Sequence, residues 1–296
     1  MKRLCSLLLA GALLTAAAGA TYADSYGSTW NVFPDQLRDD VSAALTATGA
    51  SALPALSADD PDSTDFTFPL SYGAGTVTIY ASGAQGKAYA LDATLNTAGA
   101  TAAQAEQYGA VCGAMMKVLT PQASIDAVNT AVRLDSVTPA SSGDNLLGYF
   151  SNQVLLTNEI KSGSVRFSAI RYPDNLSGIG LVVNDHFLAL DVAPRIVNSR
   201  TLVPLRGIFE EIGADVTWDE ATQTAAISQD GKVVKVTIGS KAATVDGKSV
   251  ALDTPAQLSA PSGPARTLVP VRFIAEALGA RVGWLNSPQT VLISNR

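Results

Sequence analysis

The sequence is poor in the residues that most often build metal and catalytic centres. Its 296 residues include one histidine, two cysteines and three methionines. Copper sites need clustered His, Cys or Met ligands, so this composition argues against a copper centre, and we expect no bound metal. A serine–histidine triad would have to use His186, and no G-x-S-x-G motif accompanies it. His186 falls in a predicted turn, where we expect an exposed histidine.

Nucleotide-binding and acyl-enzyme motifs are missing as well. The patterns G-x-x-x-x-G-K, G-x-G-x-x-G and S-x-x-K do not occur, so we expect no nucleotide and no other cofactor. Positive charge is also scarce, because 20 Lys and Arg stand against 26 Asp and Glu, a net charge of -6. Nucleic-acid binders present basic surfaces, so nucleic acid is excluded as an expected partner.

Long apolar runs are absent apart from one at the N-terminus. Lys2 and Arg3 precede an apolar stretch from Leu7 to Gly19, and "TYA" then offers small residues at the two positions that a signal peptidase reads, with "AGA" as a second option. This pattern predicts an export signal over residues 1–23, and the alternative is an uncleaved membrane anchor. The run is short for a membrane span. We therefore expect an exported protein, located outside the cell, on its surface or in the periplasm, without a span after cleavage.

Cleavage would leave a single cysteine, Cys112, so no disulfide could form within the chain. Cys5 precedes the apolar run, which is too early for a lipid-attachment cysteine. Cys112 shares a helical face with Tyr108, Met115 and Leu119, which predicts a small buried side chain. The alternative, a nucleophile, would need an activating base.

The remaining composition predicts a folded protein of about two domains. It is 47% hydrophobic and 16% charged, which favours packed cores over disorder. Residues 24–172 show helical and strand patterns, residues 173–180 have the composition of a linker, and residues 181–296 contain a repeat. We predict an α+β fold in which each domain is an antiparallel sheet packed with helices.

The predicted elements of residues 24–172 follow from periodicity and turn signals. The sequences "PDQLRDDVSAALTAT", "TAAQAEQYGAVCGAMMKVL" (opened by Thr101 as N-cap) and "PQASIDAVNTAVRL" (from Pro121) predict helices. The predicted strands are "STDFTFPLSYG", "GTVTIYASG", "KAYALDATLNT", "GYFSNQVLLTNE" and "SVRFSAIRY".

The repeat is a phrase that occurs twice. "RTLVPLRGIFEEIGADVTW" begins at Arg200 and "RTLVPVRFIAEALGARVGW" begins at Arg266, and 16 of 29 aligned positions are identical through Ser228 and Ser294. "VVNDHFLALD" and "TVDGKSVALD" extend the likeness upstream. The pattern predicts a strand, a short helix beginning at proline, and a further strand, used twice in one domain.

Local signals define the ends of these elements. Gly213 and Gly279 are placed where a helix ends in the left-handed conformation. Asp230-Gly231 and Asp246-Gly247 predict tight hairpins. The arginine and glutamate four residues apart on each helix form only a weak pair, so we expect each arginine also to bond a backbone carbonyl or a carboxylate of the other copy.

The two copies resemble the copper amine oxidase-like N-terminal domain family, bacterial extracytoplasmic modules with a repeated R-x-L-V-P-x-R…E-x-x-G-A-x-V-x-W pattern. The resemblance covers about residues 182–294 and implies an α+β fold with a non-catalytic, stalk-like role. An amine oxidase would also require three copper-binding histidines and an Asn-Tyr pair for its quinone, and the sequence has neither. We identify no family for residues 24–172.

These observations predict a secreted, non-enzymatic cell-envelope protein with a C-terminal attachment module and an N-terminal recognition domain. The expected partner is a cell-wall polymer or another envelope protein. The recurring side chains are expected to be structural, although the tryptophans could stack on sugars and the arginines could meet anionic polymers. These candidate residues are Arg200, Arg206, Trp218, Arg266, Arg272 and Trp284.

The alternative is a glycan-acting enzyme with a carboxylate pair in residues 24–172. The candidates are Asp65, Asp92, Glu106 and Glu159, and no sequence feature brings two of them together. The acidic stretch Asp59–Asp65 could bind calcium, but it lacks the glycine and the distant glutamate of a calcium loop, so a solvated loop is expected.

Overall fold

A computed structural model describes residues 29–56, 65–72, 75–82, 86–134, 145–259 and 265–296. The predicted export signal lies outside these residues, as does most of the Asp59–Asp65 stretch. The described residues form an α+β fold, as predicted. Within the described ranges, no helix has both the length and the apolar character needed to cross a membrane.

The first half of the chain contributes a six-stranded sheet and three helices. The strands are β1 Asp65–Tyr72, β2 Gly75–Ser82, β3 Ala88–Asn96, β4 Asn145–Ser151, β5 Val154–Lys161 and β6 Ser164–Arg171. They lie in the order β1-β2-β3-β6-β5-β4, with every pair antiparallel. The helices are α1 Pro34–Thr46, α2 Ala102–Leu119 and α3 Ile125–Val132.

The helices cover one face of this sheet because each buries one apolar face against it. Thr101 caps α2 through a complete capping box with Gln104, which satisfies the free N–H groups of the first turn. Cys112 is fully buried in this core, as predicted, and burial raises the pKa of its thiol. A protonated thiol without solvent access is a packing group.

Two predicted elements differ from the structure. "GYFSNQVLLTNE" is a hairpin rather than one strand, since Asn152 and Gln153 both adopt positive φ (50° and 58°) and turn the chain between β4 and β5. The third helix begins at Ile125, after Pro121, because Ser124 is its N-cap and accepts a hydrogen bond from the Ala127 N–H.

Strands β7 to β19 and two short helices form the second half of the chain, called here the C-terminal module. The elements are β7 Gly180–Val183, β8 His186–Phe187, β9 Arg195–Val197, β10 Arg200–Pro204, α4 Leu205–Phe209, β11 Asp215–Asp219, β12 Thr224–Gln229, β13 Lys232–Thr237, β14 Ala242–Val245, β15 Lys248–Ala251, β16 Gln257–Leu258, β17 Thr267–Pro270, α5 Val271–Leu278, β18 Arg281–Asn286 and β19 Gln289–Ser294. Both predicted glycines adopt the left-handed conformation, with φ of 83° at Gly213 and 99° at Gly279. Gly279 caps α5 as predicted, whereas α4 already ends at Phe209 with Glu210 as its C-cap, so Gly213 lies in the turn that follows the helix.

The strands of the C-terminal module form three sheets. Their orders are β16-β17-β10-β9, β11-β12-β13-β14-β15 and β18-β19-β7-β8. The expectation of a single antiparallel sheet is therefore wrong for this half of the chain. In addition, β19 pairs with β7 in parallel, since no strand equivalent to β13 separates them.

The two "RTLVP" strands meet at a local twofold axis. In the antiparallel pair β10–β17, Val203 lies opposite Val269, Leu202 lies opposite Pro270, and Pro204 lies opposite Leu268. A half-turn about this axis exchanges the two strands and leaves the pattern of paired residues unchanged. Such self-complementary pairing is the geometry of a twofold interface.

The copies of the repeat also exchange hairpins. The β7–β8 hairpin, which precedes the first phrase, pairs with β19 of the second phrase. The β14–β15 hairpin, which precedes the second phrase, joins the sheet of β11 and β12 through β13. The helix faces predicted from Leu205 and Val271 pack into one shared core between the sheets.

The six-stranded sheet packs its other face against the sheet β18-β19-β7-β8. Edge strand β4 crosses β18 closely, so that a Cβ atom on Gly283 would lie 2.5 Å from the Leu146 carbonyl oxygen. A separate apolar cluster fills this contact, with Tyr172, Phe187 and Leu292 among its buried members. The two halves of the described chain are therefore joined by an extensive packed surface.

Candidate functional sites

Two equivalent grooves flank the twofold axis of the C-terminal module, and both copies of the repeat contribute to each. The first groove, with a volume of about 740 Å³, is lined by Arg200 of the first copy and by Arg272 and Trp284 of the second. The second, with a volume of about 650 Å³, reverses the contributions. It is lined by Arg206, Trp218 and Arg266. All six predicted candidate residues thus lie in the two grooves.

The first arginine of each phrase bonds a carboxylate of the other copy. Arg200 donates through Nε to Asp253 Oδ2 at 2.9 Å, and Arg266 donates through Nε to Asp191 Oδ2 at 2.8 Å. Both aspartates end the recurring "ALD" sequence, so the bonds are equivalent. A carboxylate from the other copy was expected to bond the helix arginines. The structure shows this bond instead at Arg200 and Arg266. All four side chains are substantially exposed, so each pair contributes little to stability.

The helix arginines stay within their own copy. Arg206 pairs with Glu210 at 3.3 Å and Arg272 with Glu276 at 3.1 Å. Arg272 also donates to the Val282 carbonyl oxygen at 2.8 Å, which is the kind of backbone bond expected. These side chains form one rim of each groove, and every arginine of the rims has a carboxylate partner.

Each tryptophan forms a wall that is attached to the core. Trp218 lies on edge strand β11 and Trp284 on edge strand β18, and both are partly buried against the module core. The indole N–H donates to Glu220 Oε2 at 2.6 Å in one case and to Asn286 Oδ1 at 2.8 Å in the other. Packing and hydrogen bonding together fix the orientation of both rings.

Further equivalent residues complete the grooves and were not singled out from the sequence. Ile196 in the first groove and Leu258 in the second are 47% and 43% exposed, unusually high for large apolar side chains. Gln289 and Gln223, also at identical positions of the two copies, line the same grooves. Because the two glutamines are identical in the aligned copies, the sequence could have identified them as candidates. The importance of Ile196 and Leu258 became evident only from the edge positions of their strands in the structure.

A second polar cluster is buried where the two halves of the chain meet. Arg166 contacts Asp92 at 3.7 Å, Glu159 at 4.0 Å and Asp185 at 3.3 Å. Arg281 of the C-terminal module donates through Nε to Glu159 at 2.6 Å. This cluster, called here the interface charge cluster, thus combines acidic and basic side chains from both halves.

Two of the four predicted carboxylates therefore come together. Asp92 and Glu159 are only 2% and 7% exposed. Burial raises the pKa of Asp92 to about 6, against the opposing effect of Arg166. The hairpin at Ser162-Gly163 aligns Glu159 opposite Arg166, a register that the sequence "KSGS" could have indicated. Glu106 is exposed on α2, and only the backbone of Asp65 is described.

The prediction for His186 was wrong. The residue begins β8 and is half-buried, and its Nε2 lies 3.0 Å from the Tyr89 hydroxyl. Its ring also packs edge-on against Tyr80, with centroids 5.7 Å apart. Burial lowers the pKa of this imidazole to about 4, assisted by the Arg296 guanidinium. Hairpin β7–β8 places His186 at the contact with the six-stranded sheet, which the local sequence did not reveal.

Comparisons with known proteins give matches in the C-terminal module. Residues 182–293 match the family described as copper amine oxidase N-terminal domain. A segment of 54 residues is 46% identical to a primary amine oxidase of Klebsiella aerogenes. This segment is 18% of the chain and 7% of that relative, so the chain spans only a small part of the oxidase.

The module is thus a β-rich domain in which paired strands and short helices surround a twofold axis. The family match at residues 182–293 confirms the resemblance predicted from the repeated phrase. The match indicates a non-catalytic, stalk-like module and includes no oxidase centre. Among the described residues, no three His, Cys, Asp or Glu side chains are grouped to hold a metal ion.

Proposed function

We propose that the protein is an exported, non-enzymatic component of the cell envelope with two domains. Residues 24–172 would form a recognition domain, residues 173–180 a connection, and residues 181–296 a stalk-like scaffold and attachment domain built from two copies of one unit. The export signal predicted over residues 1–23 supports the location. The family match of residues 182–293 supports the stalk-like role.

The observation that carries this proposal is the asymmetry between two related sheet faces. The face that packs against the six-stranded sheet carries glycine and larger apolar residues. The related face carries threonine, alanine or serine at the equivalent positions. The corresponding pairs are Gly283 and Thr217, Leu292 and Ala226, Val182 and Thr244, and Phe187 and Ser249. One face therefore suits docking of the six-stranded sheet, whereas Thr217 and Ser249 on the other face are exposed among the described residues.

The docked face makes the scaffold rigid at the junction. It buries the aromatic cluster around Tyr172 and the Arg281–Glu159 pair, both of which require a fixed geometry. A recognition domain held in this way would keep a constant orientation relative to its support. This is the arrangement that a stalk needs.

Two measurements test the proposal. Full-length protein is expressed, and its N-terminus is read by mass spectrometry in the exported fraction; we expect chains that begin at Asp24. The chain purified from that fraction is then incubated with purified cell wall and sedimented. Retention with the wall is expected, and a chain that remains in the cell or wholly in the supernatant would contradict export or attachment respectively.

The rival proposal is a glycan-acting enzyme that uses Asp92 and Glu159. Its support is their convergence on Arg166, which the sequence did not anticipate. Against it, Asp92 and Glu159 are only 2% and 7% exposed, and Arg281 already occupies Glu159, which leaves little of either carboxylate for a polymer. A peptidoglycan zymogram distinguishes the two proposals. Clearing by wild type that is lost in Asp92→Asn would support the enzyme, whereas the absence of clearing by the folded wild-type chain would refute it.

A further inference from the structure

We propose that the two grooves of the C-terminal module are a pair of subsites for chains of neutral sugars. This inference rests on the attachment role proposed above and gives it a ligand class. It concerns the equivalent walls formed by Trp284 and Trp218, together with the polar groups around them. The grooves have volumes of about 740 and 650 Å³, which lie in the range of small-molecule sites.

The first argument is the amphipathic character of the lining. A sugar ring has an apolar C–H face and an edge of hydroxyl groups, so its site needs an aromatic or aliphatic surface beside hydrogen-bonding groups. Trp284 with exposed Ile196, and Trp218 with exposed Leu258, provide such surfaces. The tryptophan rings are fixed before binding, which lowers the entropic cost of stacking.

The second argument is that unused polar groups lie in the same grooves. Among the described residues, neither the Gln289 nor the Gln223 side-chain amide forms a hydrogen bond, and both are exposed. An amide offers two donors and one acceptor oxygen, which suits hydroxyl and acetamido groups of a sugar. Each groove therefore combines a fixed aromatic wall with a free amide at equivalent positions.

The third argument is charge, which separates neutral from anionic polymers. The first groove is lined by two arginines, Arg200 and Arg272, and by two carboxylates, Asp253 and Glu276, and these are already paired. The second groove contains two arginines and three carboxylates. A polyanion would have to displace these carboxylates, whereas a neutral glycan would meet no net repulsion.

Duplication adds a consequence for affinity. Two weak subsites on one rigid module can engage one polymer or two neighbouring chains, and the second contact then forms at a high effective concentration. Retention on an insoluble wall would be stronger than binding of a short sugar. We therefore expect modest affinity for a soluble oligosaccharide and firm retention on the polymer.

The test uses the tetramer of N-acetylglucosamine and ¹⁵N-labelled indoles. The chain has three tryptophans, and Trp30 lies near α1, outside both grooves. Titration of the full chain should shift the indole signals of Trp218 and Trp284 with saturation, while the Trp30 signal remains in place. A polyglycerol phosphate titration should shift none of them.

Variants assign the effect to each groove. Gln289→Ala removes an exposed amide and should weaken sugar binding at Trp284 roughly two- to tenfold, the loss of about one hydrogen bond. Trp284→Ala removes the aromatic wall of that groove together with its reporter indole, so retention on the wall polymer should fall while the Trp218 signal still responds to the tetramer. The control is Phe33→Ala, an exposed aromatic residue outside both grooves, which should change nothing.

The outcomes separate this inference from the attachment role. If the wall retains wild type and the Gln223→Ala/Gln289→Ala variant equally, and the tetramer shifts neither groove indole, the glycan inference fails while attachment stands. If the tetramer shifts both indoles but the wall retains no protein, the subsites stand and attachment fails. Indole shifts with the phosphate polymer or with an extended peptide, but not with sugar, would overturn the inference.

Discussion

Asp92 makes stability depend on pH in a way that a single substitution can isolate. Its carboxyl is almost fully buried, accepts a hydrogen bond from the Tyr80 hydroxyl at 2.9 Å and lies 3.7 Å from Arg166. Burial nevertheless outweighs these contacts and raises its pKa from 3.8 to about 6. The folded protein therefore binds the proton more tightly than the unfolded chain does.

The sign and size follow from linkage. Because the pKa of Asp92 is higher in the folded state, its protonation stabilises the folded protein. This stabilisation is complete below pH 3.8, and it is lost as the pH rises through about 6. A difference of about two pKa units corresponds to about 3 kcal/mol. Asp92→Asn removes this titration, so the free energy of unfolding of wild type minus variant should rise by roughly 2–3 kcal/mol between pH 7 and pH 4.

The assay compares wild type with Asp92→Asn because other groups in the protein titrate in the same pH range. Burial lowers the pKa of His186 to about 4, so its contribution is lost as the pH falls from 6.5, opposite in sign to Asp92. Glu211, with a pKa raised to about 7 by burial, acts in the same direction as Asp92. Urea unfolding of both proteins at pH 4, 5, 6 and 7 cancels these terms. A difference constant to within about 0.5 kcal/mol would refute the assignment.

Two further predictions concern the contact between the halves of the chain. Gly283→Thr introduces the equivalent residue of the other copy and should destabilise by roughly 1–3 kcal/mol, because its Cβ meets the Leu146 carbonyl; in the same urea assay, exposed Thr217→Ala should change less than about 0.5 kcal/mol. Arg281→Met leaves Glu159 buried without its closest partner and should cost roughly 3–5 kcal/mol. Adding Glu159→Leu should restore most of that loss, and a double variant no more stable than the single one would argue against a buried ion pair.

Local signals in the sequence predicted much of the secondary structure. Thr101, Gly213 and Gly279 act within one or two turns of their own segment, and the structure has the cap and the left-handed conformations that they imply. The Asn152-Gln153 turn was missed because it lacks the usual glycine. Two residues in the left-handed region nonetheless form the hairpin.

Long-range pairing explains why the sites were only partly predictable. The grooves combine Arg200 with Trp284, residues that approach only because two strands pair about a twofold axis. The recurring arginines were visible, but their aspartate partners in the other copy depend on that pairing. His186 was misplaced for the same reason, since its neighbours Tyr80 and Tyr89 are about 100 residues away in sequence.

The parallel pairing of β7 with β19 has a consequence for the order of folding. It joins residues about 110 positions apart, so the first strand of the module, which pairs locally with β8, gains its second neighbour only when the last strand is present. A chain that emerges from its N-terminus could form the helices and the six-stranded sheet early. The C-terminal module would close only when its final strand arrived, and this order would suit the export that we propose, in which the chain crosses a membrane before it folds.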